Sequence, residues 1–564
     1  MKKFLKNKLY IILLLALSVP AVIALVHKGF FGASDDLHIA WLFEMDKIVK
    51  IGQIPPRFVP DLSFGFGYPL FNFVFPLPFY LGEIIHLIGF SLVDSIKFVF
   101  GISLIASGLG MYFFLKEMLP EYLSLAGGLL YIYTPYRSTD VYIRGAVGEA
   151  LSFAFLPLVC LSVIKIYKLI QEENDIKIKW KYISLFALSL AALILSHNIV
   201  SYMFAPFLLL LLIFLFLALK KNKLIFVGQN VLGLVFGLLV SSYFWIPAIV
   251  ESQLMAYGTV FNFKDHFPTI RQLITPYFGY GASVPGPYDT TSFFIGLINL
   301  VIIVFAVFAT FFFWKKFKSL DKIIFSWSFV AFFTSVFMMN YRSTFIWDHL
   351  PFLPYFQFPW RFLTLTTFIS PLFLLPIKYL EPKYVKYAAS AAVIVFVVFL
   401  NAKYFRPQDF LERTDAYYIN RYIPVPTPSK DYMNLQEEYL RLPKETTQRP
   451  DKLYPQLFSN QPISFQVLTS DGLSSKIRLT TNNAGVIFYN KYLFPGWTAK
   501  IDNRNINIFS GHPFGQIALD VTAGEHLIEF HFGEVWYKII LDVVSVTALL
   551  TLIGLNVGPI RLKR

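Results

Sequence analysis

YISLFALSLAALILSHNIVSYMFAPFLLLLLIFLFLALKKNKLIFVGQNVLGLVFGLLVSSYFWIPAI, residues 182–249, decides the fold class. It holds three apolar runs, at 182–197, 199–219 and 223–249, broken by Ser196-His197-Asn198 and by the basic connector Lys220 to Lys223. About 20 apolar residues cross the hydrocarbon core of a bilayer as a helix, so each run is a candidate span. Basic residues in the short loops between spans mark the cytoplasmic side.

Working outward, the same criterion gives ten further candidates, at 9–27, 73–90, 97–115, 121–134, 149–168, 292–314, 322–340, 358–379, 385–402 and 537–557. Composition agrees: 56% of the 564 residues are hydrophobic and 15% charged, and mean hydropathy is +0.57. Soluble domains carry about 25% charged residues. The formal charge of +14 lies largely in short connectors such as Lys177 to Lys181, Lys315 to Lys322 and Lys383 to Lys386, and at both termini. It therefore reports topology and not nucleic-acid binding, which needs a clustered basic face on a soluble fold. Four lysines precede the apolar run from Tyr10 to Val26, which reads as a retained first helix. Cys160, the single cysteine, can form no internal disulfide.

Cytoplasmic termini require an even number of crossings, so one of the thirteen candidates is expected not to span. The segment 121–134 reaches only about 21 Å and is the expected half-span. Residues 250–291, 341–357 and 405–535 then lie outside the cell. The last of these alternates as strands at Phe465 and Val467 and at Ile528, Phe530 and Phe532, between turn signals at Asp471-Gly472, Asn482-Asn483, Pro495-Gly496 and Ala523-Gly524. The expected architecture is a polytopic α-helical membrane protein of about 12–13 spans with a C-terminal extracytoplasmic β-sandwich-like domain. The expected divisions are 1–404, with a large first outer loop at 28–72, then 405–535, then 536–564 as a final helix and basic tail.

Ionisable groups near membrane depth are costly and are candidate site residues. Ser34-Asp35-Asp36-Leu37-His38 follows the first helix, and its paired acids suit a general base, a metal ligand, or a cap on the next helix. Tyr136 to Glu149 sets Arg137 and Arg144 among Asp140 and Glu149. A guanidinium fork suits phosphate oxygens, and an Arg144–Glu149 ion pair that orders the turn suits the same spacing. Ser196-His197-Asn198 reads as an interhelical polar turn or as part of a site, and Lys264-Asp265-His266 carries the same alternatives. Gln357-Phe358-Pro359-Trp360-Arg361 opens a helix and fits an interfacial anchor or a substrate contact. There is no Walker A, HExxH or GxSxG motif and no cysteine pair for zinc.

Taken in order along the chain, Asp35-Asp36-Leu37-His38, Phe66-Gly67-Tyr68-Pro69-Leu70-Phe71, Tyr142-Ile143-Arg144-Gly145-Ala146 with Glu149, Leu195-Ser196-His197-Asn198, Asp265-His266-Phe267 and Gln357-Phe358-Pro359-Trp360-Arg361 resemble a known family. It is that of the bacterial YfhO-like and 6-pyruvoyl-tetrahydropterin synthase-related membrane proteins, placed with the GT-C superfamily of polyprenyl-phosphate-dependent glycosyltransferases. Phe494-Pro495-Gly496-Trp497, Asp502 and Ala523-Gly524-Glu525-His526 resemble its extracytoplasmic β-domain. No zinc-binding histidine cluster supports the pterin-synthase part of the label.

The resemblance implies an inverting transferase in the bacterial plasma membrane. It would move a sugar from a polyprenyl-phosphate donor to an envelope glycan, teichoic acid or protein acceptor on the outer side. It implies Asp35 and Asp36 as catalytic acids or as ligands of a divalent ion, Mg or Mn. Arg144 and Arg361 would hold the donor phosphate, and His38, Tyr68, Glu149, His197, Asn198, Asp265 and His266 would contact substrate. A lipid or glycan transporter, or a scaffold presenting the β-domain, are the other readings of the same residues. The lack of a repeat period in the apolar blocks argues modestly against transport.

Overall fold

The computed structural model describes residues 2–172, 179–256, 262–286, 288–435 and 440–557. Lys177 and the basic tail beyond residue 557 lie outside the described residues. Among the described residues, nine helices are long and apolar enough to cross a membrane: Lys8–Val26, Leu92–Leu115, Val147–Gln171, Asn198–Ala218, Lys223–Val240, Ser319–Met338, Pro359–Tyr379, Lys383–Tyr404 and Trp536–Asn556. Three apolar helices are shorter, Leu77–Leu87, Trp180–Ser196 and Leu297–Phe313.

The expected half-span is the 12-residue helix Glu121–Ile132, and it is buried from Leu123 to Ile132. Glycine explains its position in the bundle interior. A Cβ on Gly128 would stand 2.9 Å from the carbonyl oxygen of Gly108 on helix Leu92–Leu115, so these two backbones pack at a distance only glycine permits. The expected span at 73–90 is a correction. It begins on the last residue of a one-turn helix, Leu70–Phe73, and continues as extended backbone at Val74 and a helix of only 11 residues, Leu77–Leu87. Pro76 and Pro78 confine the helix start, and Gly89, at φ +109°, follows its end. Crossing parity therefore does not single out 121–134. The expected run 223–249 also divides, at Ser241, into Lys223–Val240 and Ser242–Ser252.

Two antiparallel sheets follow, within residues 457–532. One has the order Leu457–Phe458, Gly485–Tyr492, Gln516–Val521, Phe509–Gly511, and the other Ile463–Ser470, Ser474–Thr481, Gly524–Phe532, Trp497–Ile501, Arg504–Ile506. They face each other: Tyr489 stacks on Phe530 with ring centroids 4.0 Å apart, and Ser475 Oγ lies 2.8 Å from Tyr489 OH. Ile528, Phe530 and Phe532 are buried as their alternation requires. Val467 is 39% exposed, because Ile463–Ser470 is an edge strand.

Short contacts tie the first loop to this C-terminal region. Phe30–Phe31 pairs with Phe410–Arg413. Arg57, almost wholly buried, donates from Nε to Glu534 at 3.0 Å, from Nη2 to Asp542 at 2.9 Å and from Nη1 to the Tyr243 carbonyl at 2.7 Å. Lys538 pairs with the buried Glu251 at 3.0 Å, and Glu251 also accepts from Tyr537 and Asn72.

Candidate functional site

The loop at residues 34–37 is held against the end of a short π-helix, Thr139–Arg144. Ser34 N–H donates to the Ile143 carbonyl at 3.0 Å, and Asp35 N–H to that of Arg144 at 2.7 Å. Gly145 makes this approach possible. It adopts φ +71°, and an added Cβ would lie 2.9 Å from that of Ala33. Gly145→Ala should therefore lower stability by about 1–2 kcal/mol from the left-handed conformation alone, read as a fall in unfolding temperature of the purified protein.

Asp35 thereby reaches a cavity of about 540 Å³, which His38, Arg144, Glu149, His197, Asn198 and Arg361 also line. Neither aspartate caps the following helix: its first flanking residue is Leu37, with no side-chain capping bond. Asp36 turns the other way and accepts a hydrogen bond from Tyr422. Burial raises the pKa of both acids above the ordinary carboxylate value. Arg144 and then Arg361 oppose this at Asp35, and the Tyr422 hydroxyl and Arg421 oppose it at Asp36. Burial, followed by the charge of Arg144, lowers the His38 pKa to about 3, which keeps the ring neutral.

Arg144 and Glu149 form the ion pair that their spacing allowed, at 2.7 Å, and Arg144 also meets Asp140 at 2.8 Å. Glu149 accepts from Tyr136 OH at 2.6 Å and from Thr364 Oγ1 at 2.7 Å. The Arg144 guanidinium stacks over Trp360, 5.0 Å from the ring centroid. Arg361 is held differently. Its Nη1 donates to the Phe356 carbonyl at 2.9 Å and to Gln357 Oε1 at 3.1 Å. Its Nε stands 3.6 Å from Glu149, too long for a hydrogen bond, and has no hydrogen-bond partner. Arg144 makes its three hydrogen bonds from Nη1 alone, so both arginines keep donors for a ligand.

His197 Nδ1 accepts from Val200 N–H at 3.2 Å, capping helix Asn198–Ala218. Its ring stacks on Phe75 at 5.1 Å. The polar turn is thus structural, and its ring still lines the cavity.

Three of the sequence candidates lie elsewhere. Tyr68 is buried beside the C-terminal region, its backbone bridged to Val59. Asp265 does not line the cavity, and its carbonyl accepts from Gly286. His266 stands behind the lining, 2.9 Å from Ser283 Oγ, which also accepts from Trp360 Nε1 at 3.2 Å. Tyr136, Thr364 and Tyr422 were not singled out as site residues. Each is an unremarkable helical residue in sequence, and only tertiary packing brings it to an acid. The expected divalent ion finds no paired-acid cradle, because Asp35 and Asp36 diverge and one oxygen of Asp36 is taken by Tyr422.

Residues 71–407 match the family described as 6-pyruvoyl-tetrahydropterin synthase related domain, a membrane protein family. The chain belongs to that family. This pterin-synthase-related membrane protein is 28% identical over 233 residues to an uncharacterized protein of Lactococcus lactis subsp. cremoris (strain MG1363), which covers 40% of this chain and 36% of the other. Similar solved structures include the archaeal oligosaccharyltransferase AglB from Archaeoglobus fulgidus, in complex with an inhibitory peptide and a dolichol-phosphate. Its TM-score is 0.45 at 13% identity, over 77% of this chain and 58% of that one. Arabinofuranosyltransferase AftD from Mycobacteria gives a TM-score of 0.43 at 14% identity, over 71% and 28% of the two chains. The chain spans less than two thirds of the length of each of these proteins.

Proposed function

We propose that this membrane protein is a GT-C-type glycosyltransferase that uses a polyprenyl-phosphate-linked sugar at the Asp35 cavity, on the extracytoplasmic side. The observation that carries the reading is the convergence of Asp35 and Arg361 on one cavity of about 540 Å³. An acceptor hydroxyl oxygen bonds to the anomeric carbon and gives its proton to the Asp35 carboxylate. The bond from that carbon to the phosphate oxygen breaks, and its electron pair leaves with the lipid phosphate. Arg361, in the cavity wall, stabilises the charge that develops there. Arg144, tied to Asp140 and Glu149 through Nη1, also orders the wall against which Asp35 rests.

The deciding experiment is release of sugar from a panel of polyprenyl-phosphate donors by the detergent-purified chain, with and without divalent metal. No turnover of any donor would set the reading aside. The division between the arginines has its own outcome. Arg361→Lys keeps the charge and loses the fork, so it should weaken donor use with little change in unfolding temperature. Arg144→Lys should lower that temperature more than Arg361→Lys does.

Sidedness has a separate check. In a Cys160→Ser background, a cysteine at the exposed position 471 should label from outside intact cells, and one at the exposed position 319 should not. The reverse pattern would move the cavity to the cytoplasmic side.

A further inference from the structure

The two facing C-terminal sheets have four edges, and three of them are too short to take another strand. The four-stranded sheet ends on Leu457–Phe458 and on Phe509–Gly511, and the five-stranded sheet ends on one side at Arg504–Ile506. Its other edge, Ile463–Ser470, is eight residues long. Natural sheets protect a long edge with charge, with proline or with a covering segment. This strand has no charged residue and no proline, and among the described residues no backbone hydrogen bond reaches its outer side.

Pairing on the filled side sorts its side chains. Phe465 lies opposite Leu479 and Val467 opposite Ile477, both fully buried, so Ile463, Phe465 and Val467 point to the face that meets the other sheet. Ser464 and Gln466 lie opposite the exposed Thr480 and Arg478 and are exposed themselves. On the inner face Val467 still leaves 39% of its surface in solvent, so the edge strands an apolar side chain on the core side of the sheet. Regular pairing covers only residues 463–467, because the register shifts between Val467 and Thr469. Leu468 is the extra residue of a bulge, which bends the strand and ends the flat stretch.

We infer that this edge pairs with the same edge of a second copy of the chain, antiparallel and centred on Phe465. Ile463 then meets Val467 of the second copy, Phe465 meets its own counterpart, and Ser464 meets Gln466. Apolar side chains face apolar ones on the inner side and polar face polar on the outer, with no like charges opposed. The far edge of the sheet excludes a head-to-tail array. Such an array would set Ile463–Ser470 of one copy on Arg504–Ile506 of the next, and that strand is three residues long and opens with a cation. Pairing through the same edge closes as a two-fold dimer and makes the two five-stranded sheets continuous. The inference does not depend on the transferase reading.

The test uses the full chain in native membranes, in a Cys160→Ser background, with two differently tagged copies expressed together. Ser464→Cys on one copy and Gln466→Cys on the other should form a disulfide under mild oxidation, because directly opposed strand residues lie within disulfide reach. Asn505→Cys on both copies, at the exposed far edge, should not. With neither cysteine added, capture through one tag from mild detergent should carry the other copy along. Ser464→Lys with Gln466→Lys opposes like charges at two places and should lower that carry-over by about tenfold. Ser464→Lys with Gln466→Glu opposes unlike charges at the same two places and should restore it. That rescue separates lost pairing from lost folding.

No disulfide between positions 464 and 466, or an equal yield at 505, would overturn the inference. Carry-over unchanged by the two lysines would overturn it as well, by placing the contact between copies elsewhere. So would carry-over that the lysine–glutamate variant fails to restore. A disulfide from Gln466→Cys to a different protein, in place of the second copy, would reassign the edge to a strand of that protein.

Discussion

Asp35→Asn should lower donor turnover by about 10²- to 10⁴-fold, the contribution a positioned general base typically makes. Asp36→Asn should lower it far less, because its amide oxygen can still accept from Tyr422. The two aspartates are adjacent in sequence and face different surroundings, so the contrast between them tests geometry and not composition. Neither substitution removes a helix cap, and the unfolding temperature of Asp35→Asn should stay near that of wild type.

The pH profile gives a second reading of the same residue. A general base works ionised, and burial places the Asp35 pKa above the ordinary carboxylate value. Turnover should therefore rise with pH through that elevated value and be lost below it. The sign for stability is opposite. The folded state holds the proton more tightly than the unfolded chain, so this group's contribution declines as pH rises from the unfolded pKa to the folded one. Equal turnover and an unchanged pH profile in Asp35→Asn would remove the base from the proposed chemistry.

Glu149→Gln should be the most destabilising single change in the cavity wall, by about 3–5 kcal/mol, the usual cost of leaving one member of a buried ion pair uncompensated. Glu149 is fully buried and accepts from Arg144, Tyr136 and Thr364 together. An amide keeps some of these hydrogen bonds and removes the charge that faces Arg144. Pairing the change with Arg144→Met should recover part of the loss, because the stranded cation is then gone as well. Thermal unfolding of the two single variants and the double variant measures this. A double variant no more stable than Glu149→Gln would show that the ion pair is not what Glu149 supplies.

The membrane class was legible because its signal is additive: long apolar runs and basic connectors need no tertiary knowledge. The strands at 524–532 were legible for a similar reason, since period-two burial is local. The span at 73–90 was misread because hydropathy does not register that Pro76 and Pro78 delay a helix start. In the candidate site, the charged residues at 35, 144, 149 and 361 stood out against an apolar background. The sequence left open whether Asp35 and Asp36 act alike, and whether Arg144 and Arg361 share a role. Those questions turn on Tyr422 and Thr364, which are distant in sequence and ordinary in type. Tyr68 and Asp265 stand in motifs that carry the family resemblance, and packing sends them elsewhere.

The buried Arg57 sets a timetable for biosynthesis. Two of its partners, Glu534 and Asp542, lie 477 and 485 residues downstream. At about 5–20 residues per second, a ribosome takes very roughly half a minute to a minute and a half to reach them. During that interval the first loop carries a guanidinium without its acids. The contacts that tie the first loop to the C-terminal region therefore form late, when the final helix inserts. A nascent chain stalled before residue 534 would present an unsatisfied cation at the membrane surface, a mark by which quality-control proteases could tell it from the finished protein.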